Sequence, residues 1–401
     1  MVNRDLGSEL FSPRARRDPH ALYARLRSEG RVHRLVDPFR RIPIWIVTRY
    51  ADCVEVLKDP RLVKDVDKLP PEVQARYFPL GDGGEVLRRN MLSADPPDHA
   101  RLRRRMQRVF SPQGMEALRD RVQAVADELL DGVAPRGQMD LIADYAFALP
   151  VTIIAELLGV PTEHKDRFRR WSRAILNLTA EPADLERARV AMRELTDYFR
   201  EVLAERRKSP RGDLASILGE TEELTPDERL SMLFLLLVAG HETTVNLIGN
   251  GMLSLFRYPA ERRRLEEDPA LVSSAIEEML RFESPAETSS FRFALEDCEI
   301  AGARIPAGEA VVAGILSANR DPAEMTEPDR FDLTRTPNRH LGFGFGMHFC
   351  LGAPLSRLEG AVAFPTLLRR LPNLRLAVDP ESLCWSDRLL LRGVQAMPVT
   401  F

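Results

Sequence analysis

Ten residues near the C-terminus, Phe343-Gly344-Phe345-Gly346-Met347-His348-Phe349-Cys350-Leu351-Gly352, frame a single cysteine with glycines and aromatics. Gly344, Gly346 and Gly352 supply backbone conformations that other residues resist, and Phe343, Phe345, Phe349 and Leu351 exclude water. Leu355–Arg370 then continues with helical periodicity. Cys350 therefore stands close to a helix N-terminus, where exposed N–H groups and the macrodipole favour an anion, and a thiolate is the expected form. A lone cysteine in an apolar segment is commonly just a small buried hydrophobe. A plain core position, however, needs neither three glycines nor a histidine two residues earlier. Zinc is disfavoured, because no second Cys or His stands at paired metal-ligand spacing. One protein thiolate against an apolar wall suits haem iron, whose equatorial ligands come from the porphyrin.

Three further clusters could do chemistry. Ala239-Gly240-His241-Glu242-Thr243-Thr244 interrupts an apolar helical stretch with an acid and hydroxyls. The bland account is a threonine bonded back to a carbonyl one turn earlier and a glutamate in an ordinary salt bridge; beside a haem, the pair could relay protons to a ligand. His241 reads as a packing or surface residue. In Asp95–Arg105, Asp95-Pro96 is a plausible helix start, and His99 and Arg103, four apart, share a face on which two donors can grip a carboxylate. The outer arginines there are a solvated face or a docking patch for an acidic partner. Glu278 and Arg281 are three apart on a helix, a pair that in isolation says little.

The elements that position these groups are mostly helical. Thr225-Pro226-Asp227-Glu228 is a strong N-terminal signal, opening a helix that runs to Tyr258 and carries the acid–hydroxyl cluster at its middle. Helices are also expected over Asp18–Gly30, Tyr50–Leu57, Met115–Val133, Ala143–Leu158, Glu163–Asn177, Pro182–Lys208 and Leu271–Phe282. Short strands are expected at Val32–Val36, Ile42–Val47, Thr288–Ala294, Ile300–Gly308 and Ala310–Ile315. Between Leu62 and Asn90 the pattern dissolves among prolines and glycines. A loop of that length usually serves as a lid, with Val66, Leu69, Tyr77, Phe78 and Leu80 as the apolar side chains that close it.

Composition bounds the function class. A chain of 401 residues, 44% hydrophobic, can bury a large core, and no linker divides it, so one domain over residues 1–401 is expected. A net charge of −3 argues against bulk nucleic-acid binding. The four cysteines, Cys53, Cys298, Cys350 and Cys384, form no disulfide framework or CxxC pair, which fits a reducing cytoplasm. The first 17 residues lack the apolar run of a signal peptide, and Met232–Gly240 is shorter than the ~18 residues a membrane span requires. A cytoplasmic enzyme with no membrane association is expected.

With these residues in view, the chain resembles the bacterial cytochrome P-450 family of haem-thiolate monooxygenases over essentially its full length. The family's FGxGxHxCxG loop is matched from Phe343 to Gly352, AGxETT at Ala239–Thr244, ExxR at Glu278–Arg281 and PxRF at Pro328–Phe331. The resemblance implies a mainly α fold with small β-sheets, a triangular prism whose long central helix crosses over haem b. It also implies roles. Cys350 is the proximal iron ligand. His99, Arg103, Arg292 and His348 bind the haem propionates, while Phe343, Gly344, Gly352, Ala239 and Gly240 line the haem. Glu242 and Thr243 deliver protons during O2 activation, and Glu278 and Arg281 build a structural network with Arg330.

The surrounding sequence is most similar to bacterial hydroxylases of macrolides and other polyketides in secondary metabolism, including antibiotic biosynthesis. That likeness implies hydroxylation or epoxidation of a sizeable, mostly apolar molecule by a monomer drawing electrons from a ferredoxin and its reductase. Arg101, Arg104 and Arg108 are the docking candidates. Family position puts the pocket at residues 62–92, 171–178, 235–243, 285–291 and 389–391, with Leu92, Leu235, Val238, Ala239, Glu287, Ser289 and Leu390 as substrate contacts; Glu287 could pair with a substrate amino group or lie at the surface. A peroxide-driven enzyme and a catalytically silent haem module are the other classes; the intact Glu242–Thr243 pair speaks against both. Pro365 departs from the family pattern and predicts a kink in the helix after Cys350.

Overall fold

The hydroxyl of Thr225 accepts from the Glu228 N–H while the Glu228 carboxylate accepts from the Thr225 N–H, completing a capping box that starts the helix Pro226–Arg257. At about 1.5 Å per residue this helix is roughly 48 Å long. The structure, a computed structural model, describes residues 4–78, 86–176 and 179–401. The long helix lies in the largest core cluster and packs on the helices Ala148–Leu158, Val272–Phe282 and Ala353–Arg370. Its Gly240 has a packing reason: a Cβ there would lie 2.7 Å from Cγ1 of Ile154. The absent side chain makes room for a neighbouring helix.

A five-stranded sheet forms a second layer, ordered 32–36, 43–47, 310–313, 292–294, 62–63. Val32–Val36 and Pro43–Val47 are antiparallel, whereas Pro43–Val47 runs parallel to Ala310–Ala313. Two smaller sheets join residues 138–140, 398–400 and 375–376, and residues 298–300 with 303–305. Val32–Val36 has the expected bounds, while the later strands are shorter than the alternation predicts. Arg292–Ala294 is the paired part of the expected strand at 288–294, because Glu287 and Ser289 instead bond to Leu390 O and Ala313 O.

Residues 62–78 are not a structureless lid: they form the strand Leu62–Val63, a 3-10 turn at Val66–Lys68 and the helix Pro71–Tyr77. Leu69 and Tyr77 are core residues here, and Leu80 lies outside the described residues. The helix Asp98–Val109 starts later than the Asp95 signal suggests, because the Asp95 carboxylate accepts from the backbone N–H groups of Lys64 and Asp65. Ala353–Arg370 remains one helix through Pro365. Two stretches, Leu141–Leu158 and Pro226–Arg257, are long and apolar enough to cross a membrane, yet 72% and 61% of their most apolar windows are buried inside the fold.

Candidate active site

The cysteine loop is held by its own backbone. The Cys350 N–H donates to Phe343 O at 2.8 Å and the Gly344 N–H to Leu341 O at 2.8 Å. Gly344 and Gly346 both take φ +73°, a conformation costly for residues with a Cβ. Gly352 caps the following helix, and its N–H, with that of Ala353, bonds the Cys350 sulfur. Desolvation within the loop raises the thiol pKa, while those N–H groups and the Arg103 and Arg357 guanidiniums lower it. A metal cation bound at this sulfur would deprotonate the thiol outright.

Around this loop lies a cluster of cations and imidazoles. His99 and His348 stand with ring centroids 4.4 Å apart. Arg103 donates to Phe349 O at 2.7 Å, and Arg292 to Leu57 O at 3.0 Å. His99 Nε2, His348 Nε2 and Arg292 Nε are buried without a hydrogen-bond partner. Burial, reinforced by Lys64, Arg292, His99 and Arg103, holds His348 down to about 2. Buried polar groups in folded proteins are almost always satisfied, so these orphaned donors mark where anionic oxygens belong. Cys350 itself is exposed, as are Phe345, Met347 and Phe349. A reachable thiol, open apolar side chains and converging unpaired donors fit a flat apolar macrocycle bearing two carboxylates, which is the chemistry of haem b.

Lys64 joins this cluster, and the motif spacings give no sign of it. It is buried, and its Nζ donates to Ser290 Oγ at 2.5 Å. Burial, then Arg292, lowers its pKa to about 7, with Asp95 opposing. An unfolded lysine keeps its proton to about pH 10.4, so between about pH 7 and that point the unfolded chain binds more protons and the haem-free protein gains stability as pH rises. Lys64→Gln is expected to abolish that gain, read as a flat urea midpoint across the window. The same variant should release haem several-fold faster to a scavenging apoprotein, because one counter-charge to the propionates is gone.

On the long helix, Thr243 Oγ1 donates to Ala239 O at 3.3 Å, one turn earlier. Glu242 faces His241 Nε2 at 3.6 Å and Arg388 Nη1 at 3.4 Å. Burial would raise its carboxyl, but His241 and Arg388 outweigh it and leave the pKa below the ordinary value, so Glu242 is ionised at neutral pH. His241 is buried, bonds Leu237 O through Nδ1 and meets Phe147 edge-on. Arg388 is a second residue that motif spacing did not disclose.

Glu242 also lines a cavity of about 770 Å³, together with Leu92, Ser289 and Leu390. Val66 and Phe78 reach the same cavity, whereas Asn177 and Leu178 lie outside the described residues. Ala239 is exposed, and Val238 is buried. Leu235 sits in the main core cluster instead of standing free as a substrate contact. Glu287 requires a correction. It is neither a surface carboxylate nor a substrate contact: fully buried, it pairs with Arg16 at 2.8 Å and accepts from the Tyr23 hydroxyl at 2.8 Å. Arg16 also donates to Ser386 O and Arg388 O, both at 3.0 Å, and Arg392 donates to Arg16 O and Arg17 O.

The Glu278–Arg281 pair is bidentate, 2.7 Å at each contact, with both side chains fully buried. Arg281 donates onward to the carbonyls of Asn319, Pro328 and Arg330. The cation that approaches Glu278 is Arg335, at 3.2 Å, not Arg330. Arg330 joins through its backbone oxygen while its guanidinium lies exposed beside Glu327 and Asp332. Of the docking candidates, Arg101 is engaged by Asp98 and Glu228, which removes it from an open patch; Arg104 and Arg108 are exposed.

Residues 25–382 match the family model for cytochrome P-450, and the chain belongs to that family. It is 45% identical over 397 residues to the vitamin D(3) 25-hydroxylase of Pseudonocardia autotrophica, covering 98% of this chain and 96% of that protein. It is 41% identical over 389 residues to the cytochrome P-450 monooxygenase PikC of Streptomyces venezuelae, covering 95% and 91%. Among solved structures, the myxobacterial cytochrome P-450 CYP267B1 in complex with myristic acid matches with a TM-score of 0.96 at 56% identity, covering 98% of this chain and 99% of that one. The chain is a haem-dependent monooxygenase, an oxidoreductase that takes a small-molecule substrate and electrons from a redox partner.

Proposed function

We propose that this enzyme hydroxylates or epoxidises a sizeable, mostly apolar natural product of the polyketide or macrolide kind, working as one domain and as a monomer in the cytoplasm. The observation that carries the substrate reading is the 770 Å³ cavity bounded by Leu92, Ser289 and Leu390, of the size and mixed lining that drug-sized ligands require. A second reading, oxidation of a long-chain carboxylic acid, is favoured by the myristic acid found with the 56%-identical structure.

In this reading Cys350 ligates the iron and Lys64, His99, Arg103, Arg292 and His348 hold the propionates. When bound, the haem supplies the thiolate-ligated iron at which O2 is reduced and the substrate oxidised. The Glu242 carboxylate, held by half-buried Arg388, accepts a proton, and the Thr243 hydroxyl beside it on the same helix passes the proton on. Electrons come from a ferredoxin and its reductase, docked through exposed Arg104 and Arg108.

Thr243→Ala is expected to lower the yield of product per reductant consumed several-fold, because a positioned proton donor is lost, while reductant oxidation continues. Unchanged coupling with a true substrate removes Thr243 from the pathway. The substrate class is tested by screening macrolactones and long-chain acids for the low- to high-spin shift that follows displacement of the iron's water. A screen in which only small polar compounds shift the spectrum rejects both substrate readings.

A further inference from the structure

The cavity is far more basic than the chain that encloses it. Six cations line it, Arg40, Lys64, Arg88, Arg169, Arg173 and Arg388, against the carboxylates of Asp37, Glu242 and Asp387, in a protein of net charge −3. Lys64 belongs to the propionate cluster and Arg388 to Glu242. The other four arginines form no ion pair among the described residues. Arg173 is exposed, and Arg169 lies over the Phe147 ring at 4.7 Å.

Arg40 and Arg88 are placed differently. Arg40 Cζ is 5.3 Å from the Phe291 ring centroid and Arg88 Cζ is 5.3 Å from that of Phe78. The Phe293 ring joins them, 6.2 Å from Phe291 and 6.0 Å from Phe78. Two guanidiniums thus flank one row of three phenylalanines, all five residues facing the cavity. Arg40 gives one N–H to Tyr77 O at 2.7 Å, and Arg88 Nε is buried with no acceptor. Asp37 is tied to its own turn, accepting from the backbone N–H groups of Phe39 at 2.8 Å and Arg40 at 2.9 Å. A guanidinium offers a planar edge of donors that matches a carboxylate, and a half-buried one whose N–H lacks an acceptor is an arrangement that an anionic ligand relieves.

We infer that the cavity recognises its substrate through a carboxylate taken up by the free edge of Arg88, with Arg40 as the second cation and the apolar body lying along Phe78, Phe293 and Phe291. This deepens the proposed oxidation of a sizeable apolar molecule and rests on it. The chemistry recognised is an acid group on a long apolar frame, whether a fatty acid or an open-chain polyketide acid. An amino-bearing substrate is disfavoured by the same cations.

The test uses the haem-loaded enzyme and two matched pairs: myristic acid with its methyl ester, and an open-chain polyketide acid with its macrolactone. Binding is read by the spin shift and by calorimetry. In at least one pair the acid should bind about tenfold tighter than its neutral partner. Arg88→Gln, and more so Arg88→Gln with Arg40→Gln, should erase that preference while the neutral partner binds as before, which also reports that the variant is folded. Arg88→Lys should restore part of it. Equal binding of acid and neutral form in both pairs overturns the inference, as does a preference that survives the double variant or is lost only with Arg169→Gln and Arg173→Gln. Bound acid with no oxygenated product, given ferredoxin and reductase, rejects the oxidation reading and leaves the anchor standing.

Discussion

Arg281→Ala is expected to destabilise the protein by about 3–5 kcal/mol, the cost of breaking a buried ion pair from one side, measured as a lower urea midpoint. Both members of the pair are fully buried, so solvent does not screen the loss. Glu278 keeps Arg335, Asn338 and the Asp332 N–H as partners, but the carbonyls of Asn319, Pro328 and Arg330 each lose a donor. The damage reaches the haem loop, because the Asn319 side chain accepts from the Leu341 N–H at 2.7 Å, and Leu341 O anchors Gly344. Haem retention should fall together with stability. Arg281→Lys should not rescue, since an ammonium cannot serve a bidentate carboxylate and three carbonyls from one planar fork. A wild-type midpoint in Arg281→Ala would mean that Arg335, Asn338 and the Asp332 N–H suffice for Glu278.

Cys350→Ala is expected to abolish the red-shifted Soret band of the reduced carbon monoxide complex and to reduce substrate oxidation to background. The sulfur is the one thiol in the loop, and the backbone around it is shaped to hold it: two glycines at φ +73°, a 2.8 Å bond to Phe343 O and the N-terminus of a helix. The propionate cluster is untouched by this change, so haem can still bind with altered ligation. The spectrum therefore separates loss of the thiolate from loss of the cofactor. An unchanged spectrum in Cys350→Ala would place the iron ligand elsewhere and remove the assignment on which the site rests.

What could be read in the sequence was local. The cysteine loop, the capping box at Thr225 and the Glu278–Arg281 spacing each lie within a few residues, and local periodicity or turn chemistry determines them. What could not be read was contact between distant segments. Glu287 finds Tyr23 across 264 positions, and Glu242 finds Arg388 across 146. No spacing rule joins such pairs, so Glu287 seemed available to substrate when folding had already neutralised it. Arg330 and Arg335 show a finer limit: both sit in the same turn-rich segment, and only the three-dimensional path of that segment decides which guanidinium turns inward. Lys64 was visible as one of five lysines, but nothing local ties it to His99 or His348.

The first turns of the chain stand against the reaction chamber. Arg16 grips the carbonyls of Ser386 and Arg388 and neutralises Glu287, while Arg392 reaches back to the carbonyls of Arg16 and Arg17. The beginning of the polypeptide is thereby clasped to the turn near its end that walls the cavity at Leu389–Leu391. Trimming the N-terminal segment through Arg17 is, in effect, an active-site mutation made 370 positions away from the wall that it disturbs.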